Sequence, residues 1–160
     1  MKLSETSFNF TDRIGKGALL TATNVNGEIN TMTVSWGTAG VLWNKEVCTV
    51  FVRPQRYTYE FCEDGDTFTL SFFGDERHDT LTYCGTKTGR DVDKFATCNL
   101  KYELKNGACL FEDAKLTLIL KKLYFQDLSC ECFYDKSLLS NYKNNDFHRA
   151  YTCEIIDVII

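Results

Sequence analysis

Three short stretches of this chain bring together residue types that can do chemistry. The first is Asn30-Thr-Met-Thr-Val-Ser-Trp-Gly37, in which Thr31, Thr33 and Ser35 alternate with Met32, Val34 and Trp36. Alternation of period two puts the hydroxyls on one face of a strand and the apolar groups on the other. Gly37 at its end lets a ligand approach the backbone closely; the plainer reading is a solvent-facing Thr/Ser edge. The second is Val52-Arg-Pro-Gln-Arg-Tyr-Thr58, where Arg53 and Arg56 bracket Pro54, the single proline. It falls where a core strand meets a helix. Exposed N–H groups at a helix start and guanidinium forks both favour phosphate; the alternative is a rigid corner with two solvated arginines. The third is Cys84-Gly-Thr-Lys-Thr-Gly-Arg-Asp-Val-Asp-Lys94, which gathers Lys87, Arg90 and Lys94 around Gly85 and Gly89. Such loops cradle phosphates or lie against a planar cofactor, and are otherwise mobile and hydrophilic. Trp36, Tyr57, Phe72 and Phe73 can pack around a flat ring. Jointly the three stretches point to a phosphorylated cofactor.

Other chemistries lack their signatures. The chain has no G-x-G-x-x-G, no G-x-x-x-x-G-K-[ST], no G-x-S-x-G and no H-E-x-x-H. Only His78 and His148 are available to a triad or a zinc site, and no metal site is expected. Glu63, Asp64, Asp66, Asp75 and Glu76 flank expected turns and read as solvated. The eight cysteines are scattered. Cys130 and Cys132 form C-x-C, there is no C-x-x-C, and the set reads as reduced thiols filling small core spaces. Cys84 opens the basic loop.

The elements that must hold these stretches follow from patterning. At 160 residues one domain over 1–160 is expected. Apolar residues make up 44% and charged residues 25%, which fits a folded globular protein. A formal charge of −4 argues against nucleic acid or an anionic membrane as partner. The amino-terminal stretch has no apolar core of a secretory signal, and no apolar run is long enough to cross a bilayer, so a cytoplasmic location is expected. Strand patterns occur over 18–24, 31–36, 47–52, 67–73, 108–111, 116–124 and 151–159, with Asn26-Gly27 as a hairpin turn. Short helices are expected over 55–63, 76–84, 91–98 with Asp91 as its cap, and 135–142. Many short strands with a few helices between them predict a mainly β fold, a β-barrel with short helices.

The segments NTMTVSWGTAGVLW, VFVRPQRYTYEF, FTLSFF and CGTKTGRDVDKF, in that order, closely resemble the flavin reductase-like family, FMN-binding split β-barrel proteins akin to flavoredoxins. The resemblance extends to KLTLILKKLYFQDL and FHRAYTCEIIDVII, and so runs over nearly the whole chain. It implies a barrel that forms homodimers with FMN at or near the interface. Thr33, Ser35, Trp36, Gly37 and Thr38 would lie along the flavin. Arg53, Arg56, Tyr57 and Thr58 would hold its phosphate, and Ser71, Phe72 and Phe73 would form a second wall. Gly85, Thr88, Gly89, Arg90 and Lys94 would belong to a loop closing over the cofactor, with Thr88 where relatives often carry Ser. His148 matches a histidine close to flavin and nicotinamide, while Cys153 stands where the family usually has Gly. The implied activity is transfer of hydride from transient NAD(P)H through FMN to an acceptor, with positive charge or backbone N–H groups near the flavin stabilising its reduced ring. The alternatives are an FMN-binding electron carrier with little NAD(P)H activity, and a barrel that has lost its cofactor and serves as a dimeric binding module.

Overall fold

The computed structural model describes residues 1–160. Helix α1 (Phe10–Lys16) leads into β1 (Ala18–Thr23), β2 (Ile29–Val34), β3 (Gly37–Leu42) and β4 (Lys45–Val52). Then come α2 (Tyr57–Asp64), β5 (Thr67–Phe72), α3 (His78–Thr86), α4 (Lys94–Thr97), β6 (Tyr102–Lys105), β7 (Ala108–Phe111), β8 (Leu116–Asp127) and β9 (Arg149–Ile159). Seven strands form one antiparallel sheet in the order β2-β1-β5-β8-β9-β4-β3, and β6 pairs with β7 in a separate hairpin.

That order fixes the shape. Strands β2 and β3 are the two outer members of the sheet, yet only Ser35 and Trp36 separate them in the chain. The three Cα–Cα steps from Val34 to Gly37 span at most about 10 Å, so the sheet must curl until its outer strands nearly meet. The result is a barrel split along one seam, with Ser35 and Trp36 in the seam. Register shifts at Ile119/Leu120 and Lys122/Tyr124 bend β8 around the curve. The barrel is filled by a core that includes Leu20, Val50, Phe68, Leu70, Phe72, Leu118 and Tyr151. A smaller core of Leu19, Phe73, Cys84, Leu100, Cys109 and Phe111 lies under α3, α4 and the β6–β7 hairpin.

The expected mainly β fold with short helices is what the chain adopts, with local differences. Helix α2 starts at Tyr57 rather than Gln55, because Arg53 to Arg56 close a turn through Arg56 N–H to Arg53 C=O at 3.0 Å. The cap of α4 is Asp93, whose side chain accepts from Ala96 N–H, and not Asp91; residues 88–92 instead form a turn on the Thr88 carbonyl. Residues Lys136–Tyr142 are 3-10 rather than α-helical, capped by Asp135. Helix α1, strand β3 and strand β6 carry no clear pattern. Gly37 begins β3, and a Cβ there would stand 3.2 Å from the Thr49 carbonyl oxygen across the ladder.

Candidate functional site

The seam opens as a cleft of about 200 Å³ lined by Met32, Thr33, Val34, Ser35, Trp36, Phe51, Arg53, Arg56 and His148. It shares Ser35, Trp36 and Phe51 with a shallower depression that reaches Gly37 and Thr38. Three elements place these groups. The end of β2 supplies Thr33 to Trp36. The end of β4 supplies Phe51, paired in register with Ala150 of β9, and Arg53 follows Val52, whose partner Arg149 adjoins His148. The turn before α2 supplies Arg56.

The walls are aromatic. The Trp36 and Phe51 rings lie 5.3 and 6.3 Å from the His148 ring, both edge-on. His148 is buried, and its Nδ1 lies 2.7 Å from the Tyr142 hydroxyl. Burial, with the Arg53 guanidinium adding to it and Asp146 opposing, pushes the imidazole down to about 4, so the ring is neutral near pH 7. No carboxylate or thiol lines the cleft. What it offers is aromatic faces, hydroxyls, one neutral imidazole and two guanidinium groups.

The basic residues are tied into the chain to different degrees. Arg53 pairs with Asp146 at 2.7 Å, donates to the Asn141 carbonyl and stacks 5.0 Å over Tyr142. Arg56 donates through Nη1 to the Gly85 carbonyl at 3.0 Å and through Nη2 to the Cys84 carbonyl at 3.3 Å. The remainder of its five-donor fork is uncommitted. Beside it the first turn of α2 has no side-chain cap, so that helix start keeps unpaired N–H groups. Arg90 pairs with Glu60 and lies 4.6 Å over the Tyr57 ring. Lys94 is buried and donates to the carbonyls of Thr31 at 2.8 Å and Cys84 at 3.0 Å. Desolvation pushes it down to about 8, with Cys84 opposing and Arg56 assisting. Lys94 is thus an internal strut joining β2 to the end of α3, where a cation is favoured by the helix dipole.

The structure gathers Thr33, Ser35, Trp36, Arg53, Arg56 and His148 in one cleft, with Gly37 and Thr38 adjoining. Tyr57, Gly89, Arg90 and Lys94 line a second cavity of about 570 Å³ on the far side of the loop. Gly85 packs against Thr33 at the back of the cleft, and Thr88 caps its own turn by accepting from Arg90 N–H. Thr58 is buried and bonded to the Asn30 amide at 2.7 Å. The proposed wall of Ser71, Phe72 and Phe73 is instead core. Ser71 bonds Thr117, Phe72 takes Phe8 and Phe10 edge-on, and Phe73 packs on Phe111. All three are buried because α1 and the β6–β7 side cover that end of β5, so alternation on this strand does not mark an open face. Thr31 is likewise buried, bonded to Thr21 and the Leu20 carbonyl, and Thr33 donates to the Leu81 carbonyl of the overlying α3. Sequence reasoning missed Phe51 and Tyr142. Phe51 is legible only as a strand residue. Tyr142 reaches the cleft through a segment whose patterning carries no sign of it.

Comparison with known proteins gives the class. A family model for the flavin reductase like domain matches residues 11–119. No curated protein matches significantly. Solved structures share the fold. An FMN-binding protein from Thermus thermophilus, solved with p-hydroxybenzaldehyde bound, aligns with TM-score 0.68 at 21% identity, covering 89% of this chain and 70% of that one. A flavoredoxin from Methanosarcina acetivorans gives TM-score 0.68 at 23% identity, covering 89% and 67%. A Streptomyces globisporus NADH:FAD oxidoreductase gives 0.65 at 17%, covering 89% and 77%. The barrel and its seam therefore define a flavin-type split barrel. The chain belongs to the flavin reductase-like family. Tyr142 and His148 both lie beyond the matched residues.

Proposed function

We propose that this protein binds FMN in the seam cleft and passes hydride equivalents from NAD(P)H to an acceptor. The observation that carries this reading is the cleft itself: aromatic walls and two guanidinium groups converge where an otherwise acidic chain crosses the barrel seam. The donor set fits an anionic, planar cofactor. Trp36, Phe51 and His148 offer ring contacts, Ser35 offers a hydroxyl, and Thr33, whose proton goes to the Leu81 carbonyl, offers an acceptor oxygen. Arg56 and the uncapped start of α2 favour a phosphate. FMN, when bound, supplies the redox chemistry. The chain's own part is to hold it, shield it and bias its charge. The cationic side of the cleft favours the electron-rich reduced ring. His148 is neutral and offers a hydrogen bond without adding charge.

A second reading, an FMN-binding electron carrier with little NAD(P)H activity, draws support from the flavoredoxin among the fold relatives. The resemblance also supports a homodimer, with the exposed apolar residues Val41, Leu42, Trp43, Leu123, Tyr124 and Phe125 as its contact face. The location proposed is the cytoplasm, in keeping with eight free cysteines; no helix is long and apolar enough to cross a membrane. The acidic balance supports no nucleic-acid partner. The test is a visible spectrum of the purified protein, then NADH and NADPH titration under anaerobic conditions. Bound flavin that bleaches rapidly supports the reductase, and bound flavin that stays oxidised supports the carrier. Failure to take up added FMN overturns both.

A further inference from the structure

The His148 ring is held from one side only. Its Nδ1 meets the Tyr142 hydroxyl at 2.7 Å. Its Nε2 makes no hydrogen bond within the chain, and the one buried side-chain polar atom without a partner is the Thr69 hydroxyl. Nε2 therefore opens on the cleft that His148 lines. A neutral imidazole carries one N–H, and the partner of the other nitrogen decides where it sits. Tyr142 is buried and its hydroxyl has no second partner within the chain, so Nδ1 is the acceptor the chain offers its proton. In the reverse arrangement, Nδ1–H to the phenol oxygen, that O–H would have no partner in the chain. Tyr142 is itself clamped: its ring stacks on Phe147 at 4.8 Å, and the ion-paired Arg53 covers it.

We propose that Tyr142 is the positioning residue of the cleft: its hydroxyl donates to Nδ1 of His148 and fixes the ring as the Nε2–H tautomer, so that the cleft presents a hydrogen-bond donor there rather than a base. The inference rests on the flavin reading only for the identity of the occupant. The group placed beside His148 must then be an acceptor, such as a carbonyl oxygen. Tyr142 belongs to Lys136–Tyr142 and, like His148, lies outside the family-matched residues.

The experiment is long-range ¹⁵N–¹H NMR of histidine-labelled protein at pH 7, before and after adding FMN. With His78 and His148 as the two histidines, His148→Gln assigns the signals. The expected result is an unprotonated Nδ1 and a protonated Nε2, unchanged by FMN. In Tyr142→Phe the pattern is expected to shift toward a mixture of tautomers, with the amide spectrum showing that the fold persists. A protonated Nδ1 in the wild-type protein, a proton that moves to Nδ1 on adding FMN, or a Tyr142→Phe pattern identical to wild type overturns the proposal. The wild-type spectrum decides even if the variant fails to fold. FMN uptake is read separately in the same titration: the expected tautomer without FMN binding sinks the flavin reading alone, and bound FMN with the wrong tautomer sinks this inference alone.

Discussion

Arg56 ties two functions to one side chain. Its guanidinium closes on the Gly85 and Cys84 carbonyls, anchoring the end of α3, and it also lines the cleft. Burial lowers its pKa, and the guanidinium stays charged because it starts so far above neutrality. Arg56→Ala should weaken FMN binding by about tenfold or more, since a charge-assisted hydrogen bond contributes about 1.5–3 kcal/mol. Flavin fluorescence titration measures this, and Arg56→Lys should recover only part of the loss because an ammonium cannot reproduce the fork. His148 makes a second prediction, on stability. Its folded value of about 4 lies below the ordinary 6.5, so between those values the unfolded chain takes the proton first. Stability is therefore full above about pH 6.5 and falls as pH drops toward 4, by up to about 3 kcal/mol. Arg53 and Asp146 face the ring with opposite effects, and neither reverses the sign. Denaturant melts across this range should show the fall in wild type and a shallower one in His148→Gln.

At the scale of elements, the segment between α3 and α4 is held at both ends and pinned in the middle. Arg56 and Lys94 hold the end of α3, Asp93 caps α4, and Arg90 lies over Tyr57. Gly89 sits where a Cβ would come within 2.2 Å of the Asn30 amide oxygen and 3.0 Å of Tyr57. Asn30 has little room to give, because its other amide atom is bonded to buried Thr58. Gly89→Ala should therefore lift the segment off β2 and α2 at a cost of about 1–3 kcal/mol. Faster amide exchange over residues 87–93 would report it, with exchange in β5 and β8 unchanged. Arg90→Ala should do much less, within about 1 kcal/mol, because its pairing with Glu60 is exposed.

At the scale of the molecule, barrel closure and the apolar exterior govern behaviour. Leu118 is fully buried mid-barrel, and Leu118→Ala should cost about 2–5 kcal/mol in a denaturant melt. Strand β3 is an outer strand with Val41 77% exposed, followed by Trp43, which takes a positive φ of 53° in the hairpin turn and meets Tyr124 edge-on at 6.0 Å. Unprotected edges with apolar side chains recruit further chains. Sedimentation is expected to show a dimer, and Val41→Asp should shift it toward monomer with the circular dichroism spectrum unchanged. A wild-type monomer at micromolar concentration would remove this face from the proposal.

Local pattern determined much of this protein. The runs Val47 to Val52, Thr67 to Phe73 and Ala108 to Phe111 read directly as strands, because β-branched and aromatic residues favour pleated, half-buried surfaces. Asn26-Gly27 read as a turn, and the same signal at Asn106-Gly107, with φ of 52° and 80°, marks the turn joining β7 to β6, the strand that patterning misses. The family and most of the cleft's β2 and β4 residues were legible for the same reason: they sit in contiguous segments. Strand order was not. Only the folded chain brings β2 and β3 to opposite edges and makes two residues close the barrel. Only that closure separates Ser35, Trp36 and Arg56, which line the cleft, from Ser71, Phe72 and Phe73, which alternate as well but are covered. Alternation fixes which side chains share a face; what lies over that face is set by contacts between residues far apart in the chain. The Tyr142–His148 bond is close in sequence, yet its meaning depends on Trp36, Phe51 and Arg53 arriving from the other side of the seam.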